Sequence, residues 1–248
     1  QVIKTIEDNN YDLIVDMQNN LKSAFLSFLC KQPVAGMDAR SSREYPAHLA
    51  YKKKINVSKD MHAIQRQKSL LSSALDYSNK ISVDSYGIDK NKFSYSNKVS
   101  EKKYIVCVQN ASWPSKQWPI NYWQELICEL AVNDMHLYFP SGNQSELDRA
   151  NEICSASPKA KALDLMSLNE MAYLIDNASL SICSDTGLAH LSAVTNTPSL
   201  TLYGPTNPQL IGTYGEDQHH LLAKNSNITN ISVNEVMSKL KDLALIEF

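Results

Sequence analysis

Ser179–Pro208, SLSICSDTGLAHLSAVTNTPSLTLYGPTNP, decides the fold. Ser179 to Cys183 is an apolar run of strand length. Ser184-Asp185-Thr186-Gly187 supplies small and hydroxyl residues where a strand gives way to a helix. Leu188 to Val194 carries apolar residues at helical spacing, and Pro198 ends that helix. A second strand, Ser199 to Tyr203, runs into the turn residues Gly204-Pro205-Thr206-Asn207-Pro208. The pattern predicts a βαβ unit with parallel strands.

The loop before the helix carries the chemistry. Helix N-termini present unpaired N–H groups and partial positive charge, which suit a phosphate. Gly187 allows close backbone approach, and Thr186 adds a hydroxyl donor. His190 falls one turn beyond Thr186 on the same face. Asp185 beside an anion needs a reason: it caps the helix or accepts a bond from a ligand hydroxyl. A capping Asp and a core-edge His explain the same pattern, and the spacing names no ligand.

The run DTGLAHLSAVTNTPSLTLYGPTNPQLIGTYG resembles the donor-site signature of the ADP-heptose:lipopolysaccharide heptosyltransferases of glycosyltransferase family 9. There an Asp-Thr-Gly-Leu-x-His box opens a helix under the nucleotide diphosphate, followed by a Tyr-Gly-Pro-Thr loop. The trailing Pro208-x-Leu210-Ile211-Gly212-x-Tyr214-Gly215 resembles the type I enzymes more than type II. The resemblance implies an α/β GT-B fold of two facing Rossmann-like domains. The second holds ADP-heptose and the first an acceptor.

Composition agrees with a globular chain. The 248 residues are 43% hydrophobic and 20% charged, enough for two domains. No apolar run reaches the roughly 18–20 residues that span a bilayer, and no signal peptide opens the chain. Five dispersed cysteines, without CxxC or Cys/His clustering, predict free thiols, a reducing compartment and no zinc site. Residues 1–100 carry 15 Lys/Arg against 10 Asp/Glu, a net +5, and residues 101–248 carry 9 against 16, a net −7. A basic first half fits an acidic partner or membrane surface, or simply a solvated face.

In chain order, Gln1 to Asn10 reads as a helix end, Tyr11 to Asp16 as a strand and Leu21 to Leu29 as a helix. Binding residues in such sheets sit just past strand carboxyl ends. Asp16, Gln18 and Asn19 hold that place, and Asp16 and Gln18 are expected at the acceptor. The family resembles this with an Asp-x-Gln-Gly loop, so Asn19 departs where glycine is usual. Gly36-Met37-Asp38-Ala39-Arg40-Ser41-Ser42-Arg43-Glu44 is similar to a family segment near the acceptor, and Arg43 is expected to bind an acidic sugar or phosphate through its guanidinium fork. His62, at the start of a helix running to Leu75, either touches acceptor or packs locally. Residues 1–77 form the partial first domain, and the polar stretch 78–103 reads as a linker.

The second domain, 104–231, opens with strand Tyr104 to Val108. In the following loop Ser112 and Lys116 suit a diphosphate. The family has two hydroxyl residues there; Ala111 replaces the first. Trp118 and Trp123 read as packing residues. Glu146 corresponds to a family Glu that holds nucleoside hydroxyls, as a carboxylate accepts from a ribose diol; the helix dipole also favours a first-turn Glu. Ser167 and Glu170 are spaced as a capping box. Met166 corresponds to a wall of the adenine pocket, or is ordinary core. His219 and His220 read as loop. Residues 232–248 form a last helix expected to turn back toward the first domain.

The family's general-base Asp lies on a Gly-Asp loop ahead of the position of Gln1, and no residue here inherits that role. The resemblance implies inverting transfer of L-glycero-D-manno-heptose from ADP-heptose to the Kdo region of inner-core lipopolysaccharide. It implies no cofactor or metal, a Kdo-lipid A acceptor, no nucleic acid, a monomer, and a place on the cytoplasmic face of the inner membrane. A noncatalytic nucleotide-sugar binder, or a transferase for another nucleotide sugar, fits the same motifs.

Overall fold

A computed structural model describes residues 2–78, 86–96, 103–131 and 135–245. The chain divides into two compact units, Gln1–Ser82 with Gln209–Ile211, and Val83–Pro208 with Gly212–Phe248. The expected linker falls partly outside the described residues; its described part, 86–96, holds a 3-10 helix at Lys90–Lys92 and belongs to the second unit.

The first unit contains α1 (Val2–Asp8), β1 (Ile14–Val15), α2 (Leu21–Phe28), β2 (Val34–Met37), β3 (Lys53–Ile55) and α3 (Ala63–Leu75). Its three strands form a parallel sheet in the order β1-β2-β3. Alternation along β2 feeds two small cores. Val34 packs with Ala24, Ala47 and Tyr51, whereas Ala35 and Met37 pack with Leu70 and Ala74 of α3. Gly36 is required in this strand, because a Cβ there would meet the Tyr51 ring at 2.4 Å. The strand expected over Tyr11 to Asp16 shrinks to Ile14–Val15, because the Asp16 carboxylate already organises the next turn.

The second unit is a six-stranded parallel sheet covered on both faces. Its strands are β4 (Tyr104–Val108), β5 (His136–Ser141), β6 (Ala160–Leu165), β7 (Leu180–Ser184), β8 (Ser199–Tyr203) and β9 (Gln218–Leu222). Its helices are α4 (Ile120–Ala131), α5 (Gln144–Cys154), α6 (Leu168–Asp176), α7 (Gly187–Thr195), α8 (Pro208–Ile211, mostly counted with the first unit) and α9 (Val233–Asp242). Ile105 and Cys107 face the core built by α4, α5 and α9, while Tyr104, Val106 and Val108 face that built by α6 and α7. Runs buried on both faces are what a parallel sheet requires.

Trp118 and Trp123 are fully buried, as packing residues should be, and the Trp118 indole N–H donates to Ile231 O (2.8 Å). One expectation fails. His219 and His220 lie in β9, paired with Leu200 and Thr201 of β8, not in a loop. The last helix packs with α4 in the second unit, its Val236, Met237 and Leu240 buried beside Trp118 and Trp123.

Candidate donor and acceptor sites

The sheet order of the second unit is β6-β5-β4-β7-β8-β9. The chain winds outward from β4 to β6, then crosses back to β7 and winds the other way. In such sheets ligands bind where the order reverses, outside the carboxyl ends of the two strands that part there. Here those strands are β4 and β7, whose ends pair Val108 with Cys183.

The residues that follow them meet. Lys116 Nζ lies 2.7 Å from Asp185 Oδ2, with the side chains 22% and 9% exposed. The contact is an ion pair without hydrogen-bond alignment, since Asp185 Oδ2 is buried and has no hydrogen-bond partner among the described residues. Lys116 Nζ also stands 5.8 Å from the ring centre of the exposed Trp113. The ammonium is therefore held between a carboxylate and an aromatic face.

Thr186 is the N-cap of α7, with φ −147° and ψ 168°, yet its side chain makes no capping bond. By contrast Asn20, His62, Asn143, Ser167 and Ser232 each cap their helices through the side chain. Gly187 is exposed, and a Cβ built on it would meet nothing within 4 Å. The start of α7 thus carries no side-chain cap and follows directly on Asp185, the partner of Lys116. His190 lies half-buried on the first turn and is not free, and Ser112 is exposed in the Lys116 loop.

Glu146 sits in the first turn of α5, and its Oε2 accepts from Gly142 N (2.8 Å). It lines a cavity of about 560 Å³ together with Asn110, Ala111, Asn143 and Arg149. Of the two readings of Met166, the core one fits its surroundings. It is 6% exposed and packs among Val108, Tyr138, Leu163 and Met171, so it is core and not a wall open to a base.

In the first unit a cavity of about 720 Å³ is lined by Gln18, Asn19, Arg43, Lys59 and Arg66 among others. Arg43 is exposed and has no hydrogen-bond or ion-pair partner among the described residues, whereas Arg66 Nη2 donates to Ser41 O (2.5 Å). Among the described residues no carboxylate lines this cavity.

Asp16 organises its own loop. Its Oδ1 accepts from Gln18 N and Asn19 N at 3.0 Å each, and its Oδ2 accepts from Tyr51 Oη at 2.7 Å. Burial first, and then the Asp16 carboxylate, push the Tyr51 phenol well above its ordinary range. His62 is likewise structural: it is buried and its Nδ1 accepts from Ile64 N, capping α3.

Asn19 explains its own departure from glycine. Its φ is +52°, in the left-handed region that glycine or asparagine adopts. Its side chain adds what glycine could not: Oδ1 accepts from Met37 N (2.6 Å) and Nδ2 donates to Asp16 O (2.9 Å). Asn19 lines the cavity beside Gln18, as its place past the strand suggests, whereas Lys59 and Arg66 give no signal in the sequence beyond their charge.

Among the described residues no group of three or more His, Cys, Asp or Glu could hold a metal ion, and no helix is long and apolar enough to cross a membrane.

An open parallel sheet whose strand order reverses in this way defines a Rossmann-like α/β domain, and the structural likenesses are to GT-B glycosyltransferases. The chain belongs to glycosyltransferase family 9 (heptosyltransferase), whose family model matches residues 1–241. It is 36% identical over 217 residues to a lipopolysaccharide heptosyltransferase 1 of Pseudomonas aeruginosa, covering 87% of this chain but 61% of that relative's length. Among solved structures it resembles the E. coli heptosyltransferase WaaC with ADP (TM-score 0.85, 32% identity, 94% of this chain and 73% of that one). It also resembles WaaC with ADP-2-deoxy-2-fluoro heptose (TM-score 0.84, 30% identity, 97% and 76%).

Proposed function

We propose that the chain carries the donor site and part of the acceptor site of an inverting glycosyltransferase. The reaction moves L-glycero-D-manno-heptose from ADP-heptose to the Kdo region of the lipopolysaccharide inner core. The observation that carries this reading is the meeting of Lys116 and Asp185 at the reversal point of the sheet, beside the uncapped start of α7. The WaaC likenesses, bound to ADP and to a fluorinated ADP-heptose, support the choice of donor.

In this reading the diphosphate lies against the Gly187 N–H and the Thr186 hydroxyl, with Lys116 as its counter-charge and Ser112 as a further donor. As C1 of the sugar parts from the diphosphate, negative charge grows on the leaving oxygens. The lysine and the N-terminal dipole of α7 stabilise that charge where it develops. Asp185 holds Lys116 in place before the ligand arrives. Glu146 accepts from the ribose hydroxyls through Oε1, its other oxygen being engaged by Gly142. Arg43 and Lys59 supply positive charge for a carboxylate or phosphate on the acceptor, with Gln18 beside them. The base that takes the acceptor proton is not Asp16, whose oxygens are committed to Gln18, Asn19 and Tyr51. The lipid acceptor implies work at the cytoplasmic face of the inner membrane, as a monomer and without a metal.

Calorimetric titration with ADP, UDP and GDP tests the reading. ADP should bind most tightly, and a preference for UDP would remove heptose as the sugar. The absence of a carboxylate from the first unit's cavity favours one second reading, a binder that does not catalyse. Release of ADP from ADP-heptose only when acceptor is present separates transfer from binding.

A further inference from the structure

Beside the donor site lies a partly buried polar network centred on Gln109 and Arg149. Gln109 follows β4 and is fully buried. Its Nε2 donates to Glu146 O (3.1 Å), its Oε1 accepts from Arg149 Nε (2.6 Å), and its backbone O accepts from Ser184 Oγ (3.3 Å). Arg149 Nη2 in turn donates to Trp118 O (2.7 Å).

These partners are spread over the three segments that carry the donor residues. Trp118 closes the loop holding Ser112 and Lys116. Glu146 opens α5. Ser184 ends β7 and precedes Asp185. One guanidinium and one amide therefore join loops that the sequence keeps 31 to 75 residues apart. The planar fork is what lets Arg149, on α5, hold both ends of the β4–α4 loop at once. Its burial is costly: desolvation lowers the guanidinium's pKa from its ordinary value. The nearby Glu152 carboxylate offsets part of that cost, while both hydrogen bonds of the half-buried guanidinium go to neutral oxygens.

The geometry points to Arg149 as a positioning residue for the donor site. Through Gln109 it fixes the carbonyl of Glu146, and through Trp118 it fixes the loop of Lys116, so that both side chains are set before the nucleotide binds. This assignment rests on the donor reading given above and deepens it.

A double-mutant cycle on ADP affinity tests it, using wild type, Glu146→Ala, Arg149→Met and the double variant. Arg149→Met is expected to weaken ADP about tenfold, with thermal unfolding that remains cooperative, and to remove most of the effect of Glu146→Ala. The double variant should then bind within about threefold of the weaker single one. Multiplicative losses would overturn the proposal, as would wild-type ADP affinity in Arg149→Met. If that variant does not fold, Arg149→Lys keeps the charge but not the fork, and the same cycle with it must show the same non-additivity. Absence of ADP binding by folded wild-type protein is a separate result that removes the donor reading itself.

Discussion

Substitution of Lys116 by alanine is the sharpest perturbation of the donor site. Two electrostatic changes follow, and both oppose an anion. The ammonium, 22% exposed, is lost as a partner for the diphosphate. The Asp185 carboxylate, 9% exposed and paired at 2.7 Å in the native protein, is left unopposed beside that diphosphate. Two unit charges about 4 Å apart interact by about 4 kcal/mol at an effective dielectric of 20. Part of the lysine's charge is already committed to Asp185, so a net loss of about 3 kcal/mol is expected, close to that of a hydrogen bond to a charged group. That is roughly a hundredfold weaker binding of ADP. Calorimetry at two salt concentrations measures it, with Asp185→Asn as the companion variant. Removing the carboxylate takes negative charge away from the anion, so Asp185→Asn should bind ADP within about threefold of wild type, or more tightly. Lys116→Ala with unchanged affinity refutes the site. Equal weakening by the two variants refutes the role of Asp185 as counter-ion, making it a direct ligand group.

Other expectations follow from the same geometry. Arg43→Ala should raise KM for the acceptor about tenfold while leaving ADP affinity unchanged, as loss of one charge-assisted contact implies; a change in ADP affinity instead would move Arg43 out of the acceptor site. Asn19→Ala forces a Cβ residue other than asparagine to φ +52° and strands the Met37 N–H, so chemical denaturation should show a loss of about 2–4 kcal/mol. Burial raises the thiol of Cys107, and pushes Cys154 and Cys183 up to about 12 from 9.0 and Tyr203 up to about 12 from 10.0. These groups favour the fold in their protonated form. Their contribution is complete below pH 9 and is lost as the pH climbs from there toward 12, because the unfolded chain ionises first. Melting temperatures measured from pH 7 to pH 10.5 should fall only above about pH 9, and a level profile would contradict the burial of these groups.

Much of the fold could be read from the chain because the second unit follows local rules. Pro198 and the Gly204-Pro205 turn bracket β8, and Ser167 with Glu170 forms the capping box its spacing announces. Lys116 and Asp185 could be named singly, but their pairing depends on β4 and β7 being neighbours, a fact of sheet order and not of either loop. β9 was misread because Gln218-His219-His220 has little strand preference; it is a strand because β8 offers it an edge. Asp16 and His62 show the ambiguity of position. A carboxylate just past a strand, or a histidine at a helix start, serves a ligand or the backbone equally well in sequence, and here both serve the backbone. Arg149 and Gln109 gave no signal, since their partners lie far along the chain.

A crystal of the 248-residue chain grown with ADP gives the most direct measurement. The account predicts diphosphate density at the amino end of α7, within hydrogen-bond distance of the Gly187 N–H and of Lys116 Nζ, with the ribose toward Glu146. Density for the nucleotide in the first unit's cavity, or an α7 terminus left bare while ADP binds elsewhere, would contradict it.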